Sequence, residues 1–426
     1  MADKPLLEMR LKLDPPPATW TKQDIGYVVF GMFVLFGDTL EINLPGVITQ
    51  AISCELGVSG LQEGLLGVAL YLPMALVSVA GGYLSNRFGK RTILLFSLVT
   101  SIIFNIFCSL VPNFYTLLLS RGLIGFTVGL NYSTAGVFLS ENLSSRQHIP
   151  TGTFLKHLAG TMGRVWVALL GYLILERLGW RVFLLSSSLP VFIPPILILL
   201  CLVPTAPNEK SPEQDADKVP VEVPNVKVRI IKAYLLDFLG RFQGNGSILL
   251  VPALIRQINE QENVSGGQDC RLTSIHGIQF LILAVVGGAN VLGRVLSHSL
   301  SRYSNFRILN SIVALLTALS YIVVIFEHDI MTMAVAMAAG MFFHSVSRND
   351  VCVRVVYDPA YFGSSMLSVG SGIASAGGMT GSLVGVGLAA FLPPQIVVWV
   401  TVVLTACQVA VVLSVTEVDS PTYLRK

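Results

Sequence analysis

The chain has 426 residues, of which 53% are hydrophobic and only 12% are charged, whereas soluble proteins carry about 25% charged residues. Its net charge of +3 predicts no basic surface of the kind that binds nucleic acid. This composition excludes an ordinary soluble domain and predicts a polytopic protein embedded in a lipid bilayer. The first ~20 residues are polar and contain DPPP, so no cleavable signal peptide is expected.

Apolar runs of about 20 residues, the length that crosses a bilayer, occur repeatedly. The predicted spans are 25–44, 63–84, 92–111, 114–139, 152–175, 182–203, 230–256, 274–298, 308–326, 330–347, 360–390 and 395–416. A polar interval rich in Pro, Asp, Glu and Lys separates the sixth span from the seventh and predicts a disordered connector. We therefore predict an all-α membrane protein of twelve helices in two six-helix bundles. The predicted segments are an N-terminal segment 1–24, a first bundle 25–203, a linker 204–229, a second bundle 230–416 and a tail 417–426.

The first span carries two acids, Asp38 and Glu41, which are three residues apart and share one helix face. A carboxylate inside a membrane span is costly and usually marks a pathway, a proton site or a charge partner. Asp38 is the better candidate for coupling or charge pairing. Glu41 is the better candidate for the rim of an outer vestibule, because Asn43 and Pro45 predict that the helix ends close by.

Lys and Arg lie mostly in the connections on one side of the predicted spans, and such residues favour the cytoplasm. Both termini are therefore expected to be cytoplasmic. In this orientation Asn263 is the glycosylation sequon that lies in an outer connection, so it is the candidate glycan acceptor. Cys54 and Cys270 also lie in outer connections, either as a disulfide or as two free thiols.

The loop after the second span reads GYLSNRFGKR, residues 82–91, and fits the pattern G-x-x-x-(D/N)-R-x-G-(R/K)-R. Its glycines permit a close helix approach and a tight turn, and its basic residues can pair with acidic helix ends. The pattern resembles the loop 2–3 signature of the major facilitator superfamily. That resemblance implies an inner gate, with roles for Gly82, Asn86, Arg87, Gly89, Lys90, Arg91, Glu141 and Arg146.

Two further stretches narrow the resemblance: RGLIGFTVGLNYSTAGVFLSENLSSR (121–146) and LGWRVFLLSSSLP (178–190). With the D-x-x-E of the first span, they are similar to the branch that holds sugar porters, organic ion transporters and synaptic vesicle glycoprotein 2 relatives. The resemblance implies alternating access around a central cavity lined by spans 1, 4, 7 and 10, with spans 2, 5, 8 and 11 beside them. Spans 3, 6, 9 and 12 would form the outer scaffold, and their cores contain no ionisable residue.

Candidate substrate-binding or coupling residues lie in the remaining spans, because lipid-facing helices should be free of charge. They are Asp38, Glu41, Arg121, Tyr132, Arg164, Trp166, Asp237 and Arg241. Arg164 is predicted near the middle of the membrane, either in contact with substrate or in a structural ion pair. Other basic residues are predicted near inner span ends, where they would snorkel or pair at a gate: Lys156, His157, Arg294, His298 and Arg348.

These observations predict a secondary active or facilitative transporter of a small organic solute. Cations in the middle of the membrane favour an organic anion or a zwitterion, and Asp38 with Glu41 would carry a coupling proton or other coupling ion. No nucleotide-binding loop, metal-ligand spacing or nucleophile–base set is present in the sequence, so neither an enzyme nor a cofactor is expected. The alternative is a non-transporting protein of the same fold that acts as a receptor or trafficking regulator in vesicle membranes. A monomer is expected, either alone or with an accessory subunit, in the plasma membrane or in an endosomal, lysosomal or vesicle membrane.

Overall fold

The computed structural model describes residues 19–58, 60–202, 225–261, 275–301, 304–327, 329–356, 359–362 and 366–415. Twelve long helices occur in these ranges and are labelled in chain order. They are α1 Lys22–Leu56, α2 Gly60–Phe88, α3 Lys90–Ser109, α4 Phe114–Asn142, α5 Ile149–Leu170, α6 Glu176–Leu202, α7 Val226–Gln261, α8 Ile275–Leu300, α9 Phe306–Phe326, α10 Ile330–Val351, α11 Leu367–Phe391 and α12 Pro394–Ser414. A π-helical turn, Gly171–Leu175, extends α5, and a second one, Cys352–Val356, extends α10.

Eleven of these helices are long and apolar enough to cross a membrane. In α7 the polar stretch GRFQGNGS, residues 240–247, interrupts the apolar run. No strand occurs in the described part of the chain. The prediction of an all-α membrane protein is therefore confirmed, and the chain is a multi-pass membrane protein.

The first helix runs twelve residues beyond its predicted end, through Pro45, and stops at Leu56. Proline removes one backbone donor, which a helix packed inside a bundle tolerates. Just before it, the Asn43 side chain donates to the carbonyl of Thr39 at 2.6 Å. The helix ends where Gly57 adopts φ 64°, a left-handed conformation that glycine enters without steric cost.

The beginning of α1 is tied to the connection between α4 and α5. Thr21 and Asp24 form a capping box, in which each side chain bonds the backbone N–H of the other residue. The Asp24 carboxylate also accepts hydrogen bonds from the backbone N–H and the hydroxyl of Ser144, at 2.8 and 2.6 Å. One acid thus satisfies donors from two parts of the chain.

The helices pack as two groups, α1–α6 and α7–α12. In the first group α1 packs against α5 and α6, and α4 packs against α2 and α3. In the second, α7 packs against α11 and α12, and α10 packs against α8 and α9. The groups meet along two helix pairs, α2 with α11 and α5 with α8. The predicted linker lies almost wholly outside the described residues, so the segment boundaries stay a prediction.

The bundle has a near end, where α1 begins, and a far end, where α1 stops. At the far end of the α2–α11 pair, Gly64 lies directly against Ala390. At the near end, a Cβ on Gly82 would stand 2.9 Å from the carbonyl oxygen of Ser368, so only glycine permits this approach. The pair is therefore in contact at both ends.

The α5–α8 pair is also in contact at both ends. At the far end the ring of Phe280 packs against Gly171. At the near end the rings of Phe154 and His298 stack, with 4.2 Å between their centroids. Both surfaces between the helix groups are thus continuous across the bundle.

The largest apolar cluster fills the far half of the bundle and takes side chains from both helix groups, including Leu40, Leu66, Phe183, Phe280 and Met341. Burial of this apolar surface between the groups stabilises their contact at the far end. The polar interior lies on the near side of this cluster.

Candidate functional site

A cavity lies between the two helix groups and is the candidate site for a small molecule. It is lined by residues of α1, α4, α5, α7, α8 and α10. Leu35, Thr39 and Ile42 form the wall supplied by α1. The other walls are mainly polar and carry Tyr132, His157, Thr161, Arg164, Arg241, Asn245, Asn290, Arg294, His344 and Arg348.

Two of the four arginines share one carboxylate, that of Asp237 in α7. Arg241 Nε lies 3.1 Å from Asp237 Oδ2, and Arg348 Nη1 of α10 contacts Oδ1 of the same group. The Arg241 guanidinium also lies 4.0 Å from the ring centroid of Tyr132, a cation–π contact that joins α7 to α4. Gly378 of α11 leaves the space that Asp237 Oδ2 occupies.

The other two arginines, Arg164 of α5 and Arg294 of α8, have no carboxylate partner among the described residues. Arg164 Nη2 donates to Asn245 Oδ1 at 3.5 Å, at the limit of a hydrogen bond. The Nε and Nη1 atoms of both guanidiniums are shielded from solvent and have no hydrogen-bond partner in the described part of the chain. Buried guanidinium N–H groups without acceptors are costly, so these four atoms mark a place where an acceptor fits.

A chain of polar side chains, here called the polar chain, begins at the cavity with His344. Its Nδ1 lies 3.1 Å from Gln243 Oε1, and Gln243 Nε2 donates to Gln408 Oε1 at 2.9 Å. Gln408 in turn donates to the hydroxyl of Ser347 at 3.2 Å. These side chains are 5% exposed or less, so the polar chain runs through the interior of α7, α10 and α12.

The polar chain continues to the near end of the bundle. Ser347 donates to Asn310 Oδ1 at 2.7 Å, and Asn310 Nδ2 donates to Asp350 Oδ2 at 2.7 Å. Asp350 pairs with Arg354 at 2.8 Å, and Arg354 donates to the carbonyl of Ser301 at the end of α8. The polar chain thus links a cavity residue to the near-end connection of α8 and α9.

Asp38 and Glu41 lie outside the cavity lining, inside the first helix group. Glu41 is paired with Arg121 of α4 at 3.2 Å and accepts a hydrogen bond from Ser188 of α6. Asp38 Oδ1 accepts from Asn131 at 3.1 Å, whereas its Oδ2 has no hydrogen-bond partner among the described residues. Both carboxylates are completely buried, so neither lies at an exposed rim.

Comparison with known proteins agrees with this architecture. The sequence model of the Major Facilitator Superfamily matches residues 29–363, more than three quarters of the chain. The chain belongs to this superfamily.

Relatives of this major facilitator include the Caenorhabditis elegans protein "Putative transporter svop-1", 33% identical over 154 residues, which cover 36% of this chain and 29% of that protein. Synaptic vesicle glycoprotein 2A of Homo sapiens is 28% identical over 181 residues, or 42% of this chain and 24% of that protein. The Synaptic vesicle 2-related protein of Xenopus laevis is 26% identical over 160 residues, covering 38% of this chain and 29% of that protein. The matches span less than a third of each relative's length. The resemblance to the synaptic vesicle glycoprotein 2-related branch is confirmed.

The loop that resembles the superfamily gate joins α2 to α3 at the near end. Lys90 pairs with Glu141 of α4 at 2.8 Å and lies 3.4 Å from Asn86 Oδ1. Arg87 lies over the Phe88 ring at 5.5 Å, and Gly89 has φ 84° at the tight turn. The contact of Lys90 therefore holds α3 to α4 within the first helix group, whereas Gly82 faces Ser368 of α11 in the second group. The gate roles themselves stay a prediction.

Some predicted residues lie away from the cavity, and others lie outside the described residues. Trp166 points away from it on α5 and is 46% exposed. The side chain of Arg146 lies outside the described part of the structure, as do Asn263, Cys270 and the side chain of Cys54. The glycan and disulfide hypotheses therefore stay predictions.

Several lining residues were not predicted as site residues. His157, Arg294 and Arg348 were predicted near span ends, yet they line the cavity with His344 and Asn245. For the arginines the available signal was their charge inside a helix that continues beyond the apolar run. Asn245 was not among the predicted site residues, although a polar residue in the middle of α7 is itself a signal.

Proposed function

We propose that this major facilitator carries a small organic anion across a membrane by alternating access. The observation that supports this most strongly is the pair Arg164 and Arg294, whose guanidiniums face the cavity without a carboxylate partner among the described residues. An uncompensated charge in the membrane interior is costly, and a bound anion would offset that cost. The protein would then be more stable with an anion bound in the cavity than without one.

The position of the cavity fits the proposal, because it lies between helix groups that meet along α2–α11 and α5–α8. Rocking of one group against the other would expose such a site first on one side of the membrane and then on the other. The near end carries the basic loop with Arg87, Lys90 and Arg91, so we infer that it faces the cytoplasm. Opening at the far end requires separation of the apolar cluster.

Asp38 is our candidate for ion coupling. Glu41 is fully engaged by Arg121 and Ser188, whereas one oxygen of Asp38 has no hydrogen-bond partner among the described residues. A buried carboxylate with an unengaged oxygen has a place for a proton, and protonation would remove its charge from the bundle interior. Asp38 therefore suits proton symport better than Glu41.

Ligand screening by thermal shift tests the proposal on purified wild-type protein, Arg164→Ala and the control Arg177→Gln, at acidic and at neutral pH. Arg177 is exposed and lies outside the cavity. We expect organic anions to stabilise the wild type and the control but not Arg164→Ala. Equal stabilisation of all three proteins would contradict the site.

Counterflow in proteoliposomes separates transport from the alternative function. The second candidate is a non-transporting receptor or trafficking regulator in a vesicle membrane, and the names of two relatives refer to synaptic vesicles. A transporter exchanges labelled anion across the membrane against an internal excess of unlabelled anion. A receptor binds the same anion saturably and shows no exchange.

A further inference from the structure

We propose that the solute is an organic dianion whose two anionic groups lie apart, one held by Arg164 and the other by Arg294. This inference rests on the proposed function, because it concerns the same cavity. It goes further by giving the ligand a charge and a minimum separation between its charged groups.

The number of arginines without a carboxylate partner supports a dianion. Four guanidiniums line the cavity, and the carboxylate of Asp237 is shared by Arg241 and Arg348. That leaves Arg164 and Arg294, each with two buried nitrogens that lack an acceptor among the described residues. Guanidinium groups bind carboxylates and phosphates through charge-assisted hydrogen bonds. A ligand with one negative charge would leave one of the two guanidiniums without an anion.

The same contacts disfavour a zwitterion, because its cationic end needs a carboxylate at the cavity. Asp237 is already bonded to two arginines, and Glu41 is bonded to Arg121. Asp38 and Glu41 are absent from the cavity lining. No carboxylate of the described lining is therefore available to an ammonium group.

The packing of α5 against α8 gives the separation. Val165 lies against Gly287, and Phe154 stacks on His298. The two helices are therefore antiparallel. Eleven residues toward the near end along α5 correspond to eleven residues toward the near end along α8. In this register Arg294 is level with residue 158, six residues toward the near end from Arg164. Six residues of helix correspond to about 9 Å along the axis. This offset favours two separate anionic groups over one group bound by both side chains.

Binding of defined anions to the full chain in detergent tests the inference without any requirement for transport. The dicarboxylate probes are malonate, succinate, glutarate and adipate. Propionate is the monoanion, and glycerol phosphate carries two negative charges on a single phosphate group. We expect the dicarboxylates longer than malonate to bind roughly tenfold to a hundredfold more tightly than propionate. We also expect Arg164→Gln and Arg294→Gln each to reduce dicarboxylate affinity to that of propionate.

The control for charge is Arg177→Gln, which removes one positive charge outside the cavity and should keep the preference for dicarboxylates. A folding check is built into the variants. Because each substitution removes a costly buried charge, both should unfold at a temperature at least as high as the ligand-free wild type. If either variant fails to fold, Arg164→Lys and Arg294→Lys replace it. Lysine keeps the charge but lacks the planar guanidinium, which can donate two parallel hydrogen bonds to an anion, so these variants should lose affinity.

The outcomes separate this inference from the proposed function. Propionate binding as tightly as the dicarboxylates would overturn the dianion, even if counterflow shows transport of monoanions. Tighter binding of glycerol phosphate than of every dicarboxylate would overturn the separation of the two groups. Strong dicarboxylate binding without counterflow would support the dianion site and contradict transport.

Discussion

Glu41 of α1 and Arg121 of α4 form an ion pair at 3.2 Å between two completely buried side chains. Two charges withdrawn from water are tolerated when each satisfies the other, and the second oxygen of Glu41 is satisfied by Ser188. The pair holds α1, α4 and α6 together inside the first helix group. Its loss should therefore affect stability before it affects ligand binding.

We expect Arg121→Leu to lower the free energy of unfolding by about 3–5 kcal/mol, because it leaves the Glu41 charge buried and unpaired. The double variant Glu41→Leu/Arg121→Leu should recover most of that loss. Unfolding of the purified protein in detergent measures both, with Arg177→Gln as the control. The pairing would be contradicted if the stability lost by the double variant equalled the summed losses of Arg121→Leu and Glu41→Leu.

Gly378 and Gly387 of α11 make a matched pair. A Cβ on Gly378 would collide with the Asp237 carboxylate, whereas a Cβ on Gly387 would meet no atom within 4 Å. We expect Gly378→Ala to destabilise the protein by about 1–3 kcal/mol and to weaken anion binding through displaced Asp237. Gly387→Ala should be neutral or stabilising, because alanine is the better helix former. Equal unfolding temperatures for the two variants would show that Asp237 moves aside freely.

Glu55 predicts a pH dependence at the far end, eleven residues beyond the predicted first span, which ends at residue 44. The hydrogen bond from Arg181 lowers the pKa of Glu55, and Trp180 Nε1 also donates to it at 2.6 Å. Because the folded pKa lies below the unfolded one, this stabilisation is present above the ordinary glutamate pKa of about 4.3 and is lost as pH falls through the folded value. The wild type should therefore unfold at a higher temperature than Glu55→Gln at neutral pH. This difference should shrink as the pH is lowered. A difference that is constant with pH would contradict the assignment.

Asp38→Asn separates coupling from transport. We expect the variant to keep counterflow, since exchange needs no net proton movement, and to lose anion uptake driven by a pH gradient. Glu55→Gln serves as the control, because it removes a carboxylate far from Asp38 and should keep both activities. Gradient-driven uptake that survives in Asp38→Asn would transfer the coupling role to another group.

The helices were largely predictable because each apolar run must cover the thickness of a bilayer, and polar residues between runs mark the connections. The exceptions have physical causes. Pro45 indicated an early end for α1, but the lost hydrogen bond is tolerated inside the bundle and the helix continues to Leu56. The predicted eleventh span began at 360, whereas α11 begins at Leu367 after a separate helical turn, Pro359–Phe362.

The cavity was only partly predictable, because depth was counted from the ends of apolar runs. The predicted tenth span stops at 347, but α10 continues to Val351 because its polar end is buried against partners such as Asp237 and Asn310. Arg348 therefore lies well inside the helix. Which charges share a carboxylate is set by contacts between helices far apart in sequence, and one sequence does not reveal them.

The polar chain has a consequence for the atom that the cavity presents at His344. A carboxylate only accepts hydrogen bonds, so Asp350 obliges Asn310 to donate to it and to turn its amide oxygen to Ser347. The same orientation continues through Gln408 and Gln243.

At the other end of the polar chain, the oxygen of Gln243 requires a donor from His344 Nδ1. A neutral imidazole then has one tautomer, with its hydrogen on Nδ1 and the lone pair of Nε2 beside Gly244 in the cavity wall. Asp350, which lies outside the cavity, thus determines that His344 presents a hydrogen-bond acceptor, Nε2, to the cavity. Asparagine at position 350 would accept as well as donate, and both tautomers of His344 would become accessible.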